Sequence, residues 1–253
     1  MKKFLTTLFA VLFVVGAAAS IGGASDAMVA IKGDTIQINE SVQSDFDKKA
    51  MAEGEIYYVY DCIATEEVTH TRYGVKTGTD ETNFYLIESY NKDWFNNGGE
   101  DYTPLTLIYA TADEEKIAQL DSMVEDWANF YDDYETWYYD ESSTEDDFPA
   151  FPEQTFTISG IITEYDDDKL YEYRDEYLSD YITSDVDSYV DSYCVDMIIK
   201  DTDVQSAKNA FFAAIAIAVI GLIGLIATLV LFKKKKNEQN EETINESNDG
   251  QIL

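Results

Sequence analysis

The chain has one histidine, two cysteines and three prolines in 253 residues, and only 17 Lys plus Arg against 50 Asp plus Glu. Each scarcity excludes something. With His70 as the only imidazole, no His-based zinc site or triad with a spare histidine can be built. No Gly-x-Ser-x-Gly elbow, Cys-His signature or phosphate-binding glycine pattern accompanies it, so His70 reads as a surface residue. Cys62 and Cys194 could form one disulfide in an exported protein, but two cysteines are too few for a disulfide scaffold. A net charge of −33 repels DNA and RNA, whose binders need basic patches, so no nucleic-acid partner is expected.

Long hydrophobic runs are present at both ends. From Ala210 to Phe232 there are 23 residues without a charge, Asn, Gln, Pro or His, about 35 Å of helix and enough to cross a bilayer. Lys233, Lys234, Lys235 and Lys236 follow at once and act as a stop-transfer signal that keeps the C-terminus in the cytoplasm. At the other end Lys2 and Lys3 precede an apolar run and then Gly16 to Ser20, the layout of a secretory signal. Cleavage after Ala19 or Ala24 is expected. The competing reading is an uncleaved signal-anchor, because Phe4 to Ile21 sits at the lower edge of spanning length. The expected organisation is a signal peptide or signal-anchor over 1–24, an acidic extracytoplasmic domain over 25–206, one transmembrane helix over 207–232, and a disordered polar tail over 233–253. The expected location is the plasma membrane, crossed once, with the N-terminal domain outside. Ala210, Ala214 and Ala218 form a small-xxx-small ridge that could support a homodimer.

The middle segment, 26–205, holds 45 acids against ten basic residues, yet its tyrosines and Trp94, Trp127 and Trp137 supply material for a core. Ile36 and Ile38 alternate with polar residues and predict a short strand. Glu55 to Ala64 predicts one strand. Arg72–Lys76 and Phe84–Glu88 predict a hairpin turning at Thr77 to Asp80. Leu105 to Ala110 predicts a strand, followed by a helix whose capping box pairs Thr111 with Glu114 and whose apolar stripe runs Ile117, Leu120, Val124, Trp127, Tyr131, Tyr134. Phe156 to Ile162 predicts a strand, Thr163 onward a second helix capped by Thr163 or Asp166, and Tyr189 to Ile199 a final strand. The expected fold class is α+β, a mostly antiparallel sheet with two packed helices, plus one C-terminal transmembrane helix.

The strands at 54–61 (Gly-Glu-Ile-Tyr-Tyr-Val-Tyr-Asp) and 84–87 (Phe-Tyr-Leu-Ile), the long helix, Phe-Thr-Ile-Ser-Gly-Ile-Ile at 156–162 and Tyr-Arg-Asp-Glu-Tyr-Leu at 173–178 together resemble an uncharacterised family of small bacterial membrane proteins with one anchored extracytoplasmic domain. The resemblance implies that architecture and no assigned reaction.

Calcium wants several carboxylates together, and Asp166, Asp167 and Asp168 are candidate ligands, although no EF-hand loop surrounds them. A glycosidase-like hydrolase needs only two acids at a set separation, which so many acids supply without information. The expected function is therefore a non-enzymatic, membrane-anchored binding, sensing or accessory protein. Its partners would be the bilayer and an unknown, cationic protein or wall component, and no cofactor is implied. The alternatives are a carboxylate-dependent surface hydrolase and a Ca²⁺-binding surface protein.

Overall fold

The computed structural model describes every residue except 1, 23–26, 30, 32, 48, 73–74, 100–102, 184 and 250–253. The chain divides into two units. One comprises residues 1–31 with 204–253, the other Lys32–Asp203.

The second unit is built on a seven-stranded mixed sheet: β1 (Thr35–Gln37), β2 (Met51–Ile56), β3 (Val59–Arg72), β4 (Val75–Glu88), β5 (Thr106–Thr111), β6 (Phe156–Thr163) and β7 (Cys194–Asp201), in the spatial order β1-β2-β6-β7-β5-β4-β3. The β1/β2 and β5/β7 pairs are parallel and the other four antiparallel. Helices α2 (Lys92–Asn96), α3 (Glu114–Tyr139), α4 (Lys169–Ser179) and α5 (Val186–Tyr193) complete the unit.

The sheet cannot be flat. Five strand intervals separate β2 from β3 in that order, about 24 Å at the usual spacing, yet only Tyr57 and Tyr58 join them, a reach of about 11 Å. The sheet is curled instead, so that the end of β2 meets the end of β4. The Tyr57 backbone N–H donates to Tyr90 O (3.3 Å), and Asn39 Nδ2 donates to both Glu55 O (2.7 Å) and Ser89 O (2.5 Å). This is why the single strand expected over 55–64 is two. Tyr57 leaves the ladder to enter an aromatic cluster, where Trp127 Nε1 donates to its carbonyl (2.9 Å) and the two rings meet edge to face at 5.3 Å.

Period-2 alternation sorts side chains to the two faces. Tyr85 and Ile87 of β4 join Leu107, Tyr109, Ile158, Ile162 and the α3 residues Leu120 and Met123 in one core. Phe84 and Leu86 join Ile108, Ala110 and the α4 residues Leu170 and Leu178 in another. Each buried aliphatic or aromatic side chain contributes about 1.5–3 kcal/mol. The α3 stripe closes around Leu120, Met123, Trp127 and Phe130, while Tyr131 is exposed.

Several boundaries move from their sequence expectation. The β3/β4 hairpin pairs 59–72 with 75–88, so Thr77 to Asp80 is strand, not turn. Asp113, not Thr111, caps α3: its Oδ1 accepts from the N–H groups of Glu115 (2.9 Å) and Lys116 (3.2 Å). The Thr111 hydroxyl instead accepts from the Asp113 N–H (3.1 Å) and donates to Asp201 Oδ2 (2.7 Å), a carboxylate that also pairs with Lys116 (2.6 Å). Helix α4 starts at Lys169, after Asp168 rather than Thr163 or Asp166. The first half of the strand expected over 189–199 is helix α5, because Asp185 accepts from Ser188 N–H (3.4 Å) and starts a helical turn there.

In the first unit, α1 (Lys2–Gly22) packs along α6 (Val204–Asp249). Among the described residues, two helices are long and apolar enough to cross a membrane, Lys3–Ile21 and Gln205–Lys234, and the first lies where a secretory signal, which meets the same measure, is expected. Their backbones touch. A Cβ on Gly16 would lie 2.5 Å from the Ala218 nitrogen, and one on Gly221 would lie 2.5 Å from the Phe13 nitrogen. The ridge that could have supported self-association meets α1 of the same chain at Ala214 and Ala218, while Ala210 is exposed. The helix runs on through the expected disordered tail to Asp249. Once a long helix is nucleated, each added residue costs little.

Candidate functional site

A groove of about 700 Å³ opens where the start of β3, the end of β4 and helices α3, α4 and α5 converge. Same-face spacing fills it with rings. Tyr58 and Tyr60 are two apart on extended chain, whereas Trp127 and Tyr131, Tyr177 and Tyr181, and Tyr189 and Tyr193 are each four apart at helical spacing. Tyr58 meets Tyr60 and Trp127 edge to face, each at 4.8 Å. Tyr177 stacks on Tyr181 at 4.9 Å and meets Tyr60 edge-on at 6.3 Å. Among the described residues, no lysine or arginine lines the groove.

Glu88 lies against this groove and is 6% exposed. It ends β4 on the face of Phe84 and Leu86, directly opposite Thr106 in the β4/β5 register. Three hydroxyls donate to its Oε1: Tyr60 (2.6 Å), Thr106 (3.0 Å) and Tyr189 (3.4 Å). Burial raises the Glu88 carboxyl above the usual carboxylate range, and the three hydroxyls oppose that shift without cancelling it. Burial, followed by the charge of Glu88, raises the Tyr60 phenol and lifts that of Tyr189 to about 12, so both remain donors at neutral pH. The other acid lining the groove, Asp61, accepts from the Cys62 N–H (2.7 Å).

The residues singled out in the sequence lie elsewhere or do not assemble. Cys62 and Cys194 are free thiols on β3 and β7, with β4 and β5 between them. The Cys194 thiol is pushed up to about 12, chiefly by burial, which makes it a poor nucleophile. Asp166, Asp167 and Asp168 are all exposed, and Asp167 accepts from the backbone N–H of Lys169 (3.1 Å). Among the described residues, no group of three or more His, Cys, Asp or Glu could hold a metal ion. His70 lies on β3, but its side chain is outside the described residues, as are those of Lys235 and Lys236; Lys233 and Lys234 are exposed. Sequence reasoning missed Glu88 because one acid among so many carries no weight, although its parity with Phe84 and Leu86 was the available signal.

No family model, curated protein or solved structure matches this chain.

Proposed function

We propose that this is a membrane-held, non-enzymatic binding or sensing protein whose unit 32–203 lies outside the cell and takes its ligand in the tyrosine groove. The observation that carries the reading is the combination of a roomy, ring-lined groove with one buried, hydroxyl-bound carboxylate. Ligand sites are typically concave and mostly apolar, with a few convergent polar groups. A hydrolase would need two carboxylates of opposed character, and the groove offers one buried carboxylate together with an Asp61 already engaged by backbone.

The membrane arrangement follows from charge and packing. Lys2 and Lys3 open α1 ahead of its apolar run, and Lys233 to Lys236 follow the apolar part of α6, which favours both outer flanks on the cytoplasmic side. The close approach at Gly16 and Gly221 supports α1 as a retained partner of α6, held by the small-residue packing that membrane helices use.

The test is a thermal-shift screen of the purified full-length protein against panels of small organic cations, sugars and amino acids, repeated on Tyr60→Ala and Tyr177→Ala. Stabilisation by one class, lost in both variants, supports the groove as the ligand site. Binding unaffected by either substitution would sink it.

A further inference from the structure

We infer that the tyrosine groove takes a soluble small molecule carrying a quaternary ammonium group. This rests on the groove being the ligand site and names the chemistry it selects. Tyrosine and tryptophan faces carry negative π density, and a cation held within about 6 Å of several rings is attracted without needing a hydrogen bond. Tyr58, Tyr60, Tyr177 and Tyr181 pack on one another with centroid separations of 4.8 to 6.4 Å and together line the groove, so an occupant of the groove meets several rings at once along this wall. Glu88 lies behind them with Tyr60 bonded to it, so a positive charge among the rings finds a carboxylate next to them.

Competing cations fit less well. Calcium and magnesium require six or more oxygen ligands, several of them carboxylates, whereas the groove brings two carboxylates, Glu88 and Asp61, among tyrosine rings with neutral hydroxyls. A guanidinium seeks a carboxylate that can accept two parallel bonds, but Glu88 Oε1 already receives three hydroxyls. A primary ammonium brings three donors that must all be satisfied once desolvated. A quaternary ammonium has none and is content among rings. The groove's volume of about 700 Å³ exceeds what the charged head alone fills, so the ligand carries a further portion. The strongly acidic surface around it also raises the local concentration of cations.

The experiment is isothermal titration of the full-length protein in a maltoside detergent, free of choline-headed lipid, with choline, its uncharged isostere 3,3-dimethylbutan-1-ol, and butylammonium. Choline is expected to bind about tenfold or more tighter than the isostere and tighter than butylammonium. Glu88→Gln should weaken choline severalfold while leaving the isostere unchanged, and Tyr58→Ala should weaken both. Equal binding of choline and the isostere by the wild-type protein would overturn the inference while leaving the groove a ligand site. Preference for butylammonium would overturn it in favour of an amine ligand. Absence of binding by all three overturns it outright, and the sugar and amino-acid panels then decide the broader reading separately.

Discussion

Glu88 combines two features that usually conflict, a buried position and an ionisable carboxyl. Its folded-state carboxyl titrates above its unfolded value because burial outweighs the hydroxyls of Tyr60, Thr106 and Tyr189. The groups facing it are Tyr60 from β3, Tyr189 from α5 and the Cys194 thiol from β7. A group raised in this way holds its proton longer in the native state, so the stability it contributes is fully present below its unfolded value and is lost as pH rises through the folded one. Glu88→Gln keeps an oxygen to accept the same hydroxyls and removes the ionisation. Its melting temperature should match wild type near pH 4 and exceed it near pH 8. A variant less stable than wild type at pH 8 would contradict the burial argument. Arg174 is the opposite case, a buried cation with partners: it is 2% exposed, pairs with Asp175 (2.7 Å) and Asp196 (3.0 Å), and lies over the Tyr171 ring. Both carboxylates remain in contact with water, so Arg174→Ala should cost about 2 kcal/mol in urea unfolding, mostly as lost packing.

Elements were legible in the sequence where one periodicity ran unbroken. The α3 stripe, β5 and β6 follow directly from i, i+3, i+4 spacing or from short apolar runs. Failures arose where tertiary structure set the boundary. Glu55 to Ala64 reads as one strand because nothing local marks Tyr57 as the point where the chain crosses from β2 to β3, far apart in the strand order. Tyr189 to Tyr193 reads as strand because a tyrosine-rich run suits both states, and only the Asp185 cap and the apolar floor beneath it select the helix. The groove follows the same rule: its ring pairs are visible as i, i+2 and i, i+4 spacings, but five elements had to converge before they faced one another. The cap of α3 separates the two readings experimentally. Asp113→Ala should lower unfolding stability by about 1 kcal/mol, whereas Thr111→Val should act through the lost bond to Asp201. Equal insensitivity of the protein to Asp113→Ala would return the cap to Thr111.

At the scale of the whole molecule, two apolar helices flank an acidic unit, and the proposed membrane hairpin makes distinct demands. The membrane-extracted protein should have the mass of the uncut chain, 28.6 kDa, whereas cleavage near Ala19 or Ala24 would remove roughly 2 kDa. Deleting residues 210–253 should leave α1 to hold the remainder in the membrane fraction, whereas release into the medium would mean that α1 is removed after export. The net charge of −33 enriches cations at the protein's surface, an effect that weakens with salt. In the proposed reading, selectivity comes from the groove. The most direct measurement is nuclear Overhauser transfer from the methyl protons of choline to tyrosine ring protons of the full-length protein in maltoside micelles. Transfer to Tyr58, Tyr60 and Tyr177, and none to the exposed Tyr138 and Tyr139, is the expected result. Transfer confined to Tyr138 and Tyr139, or none to any ring at saturating choline, would contradict it.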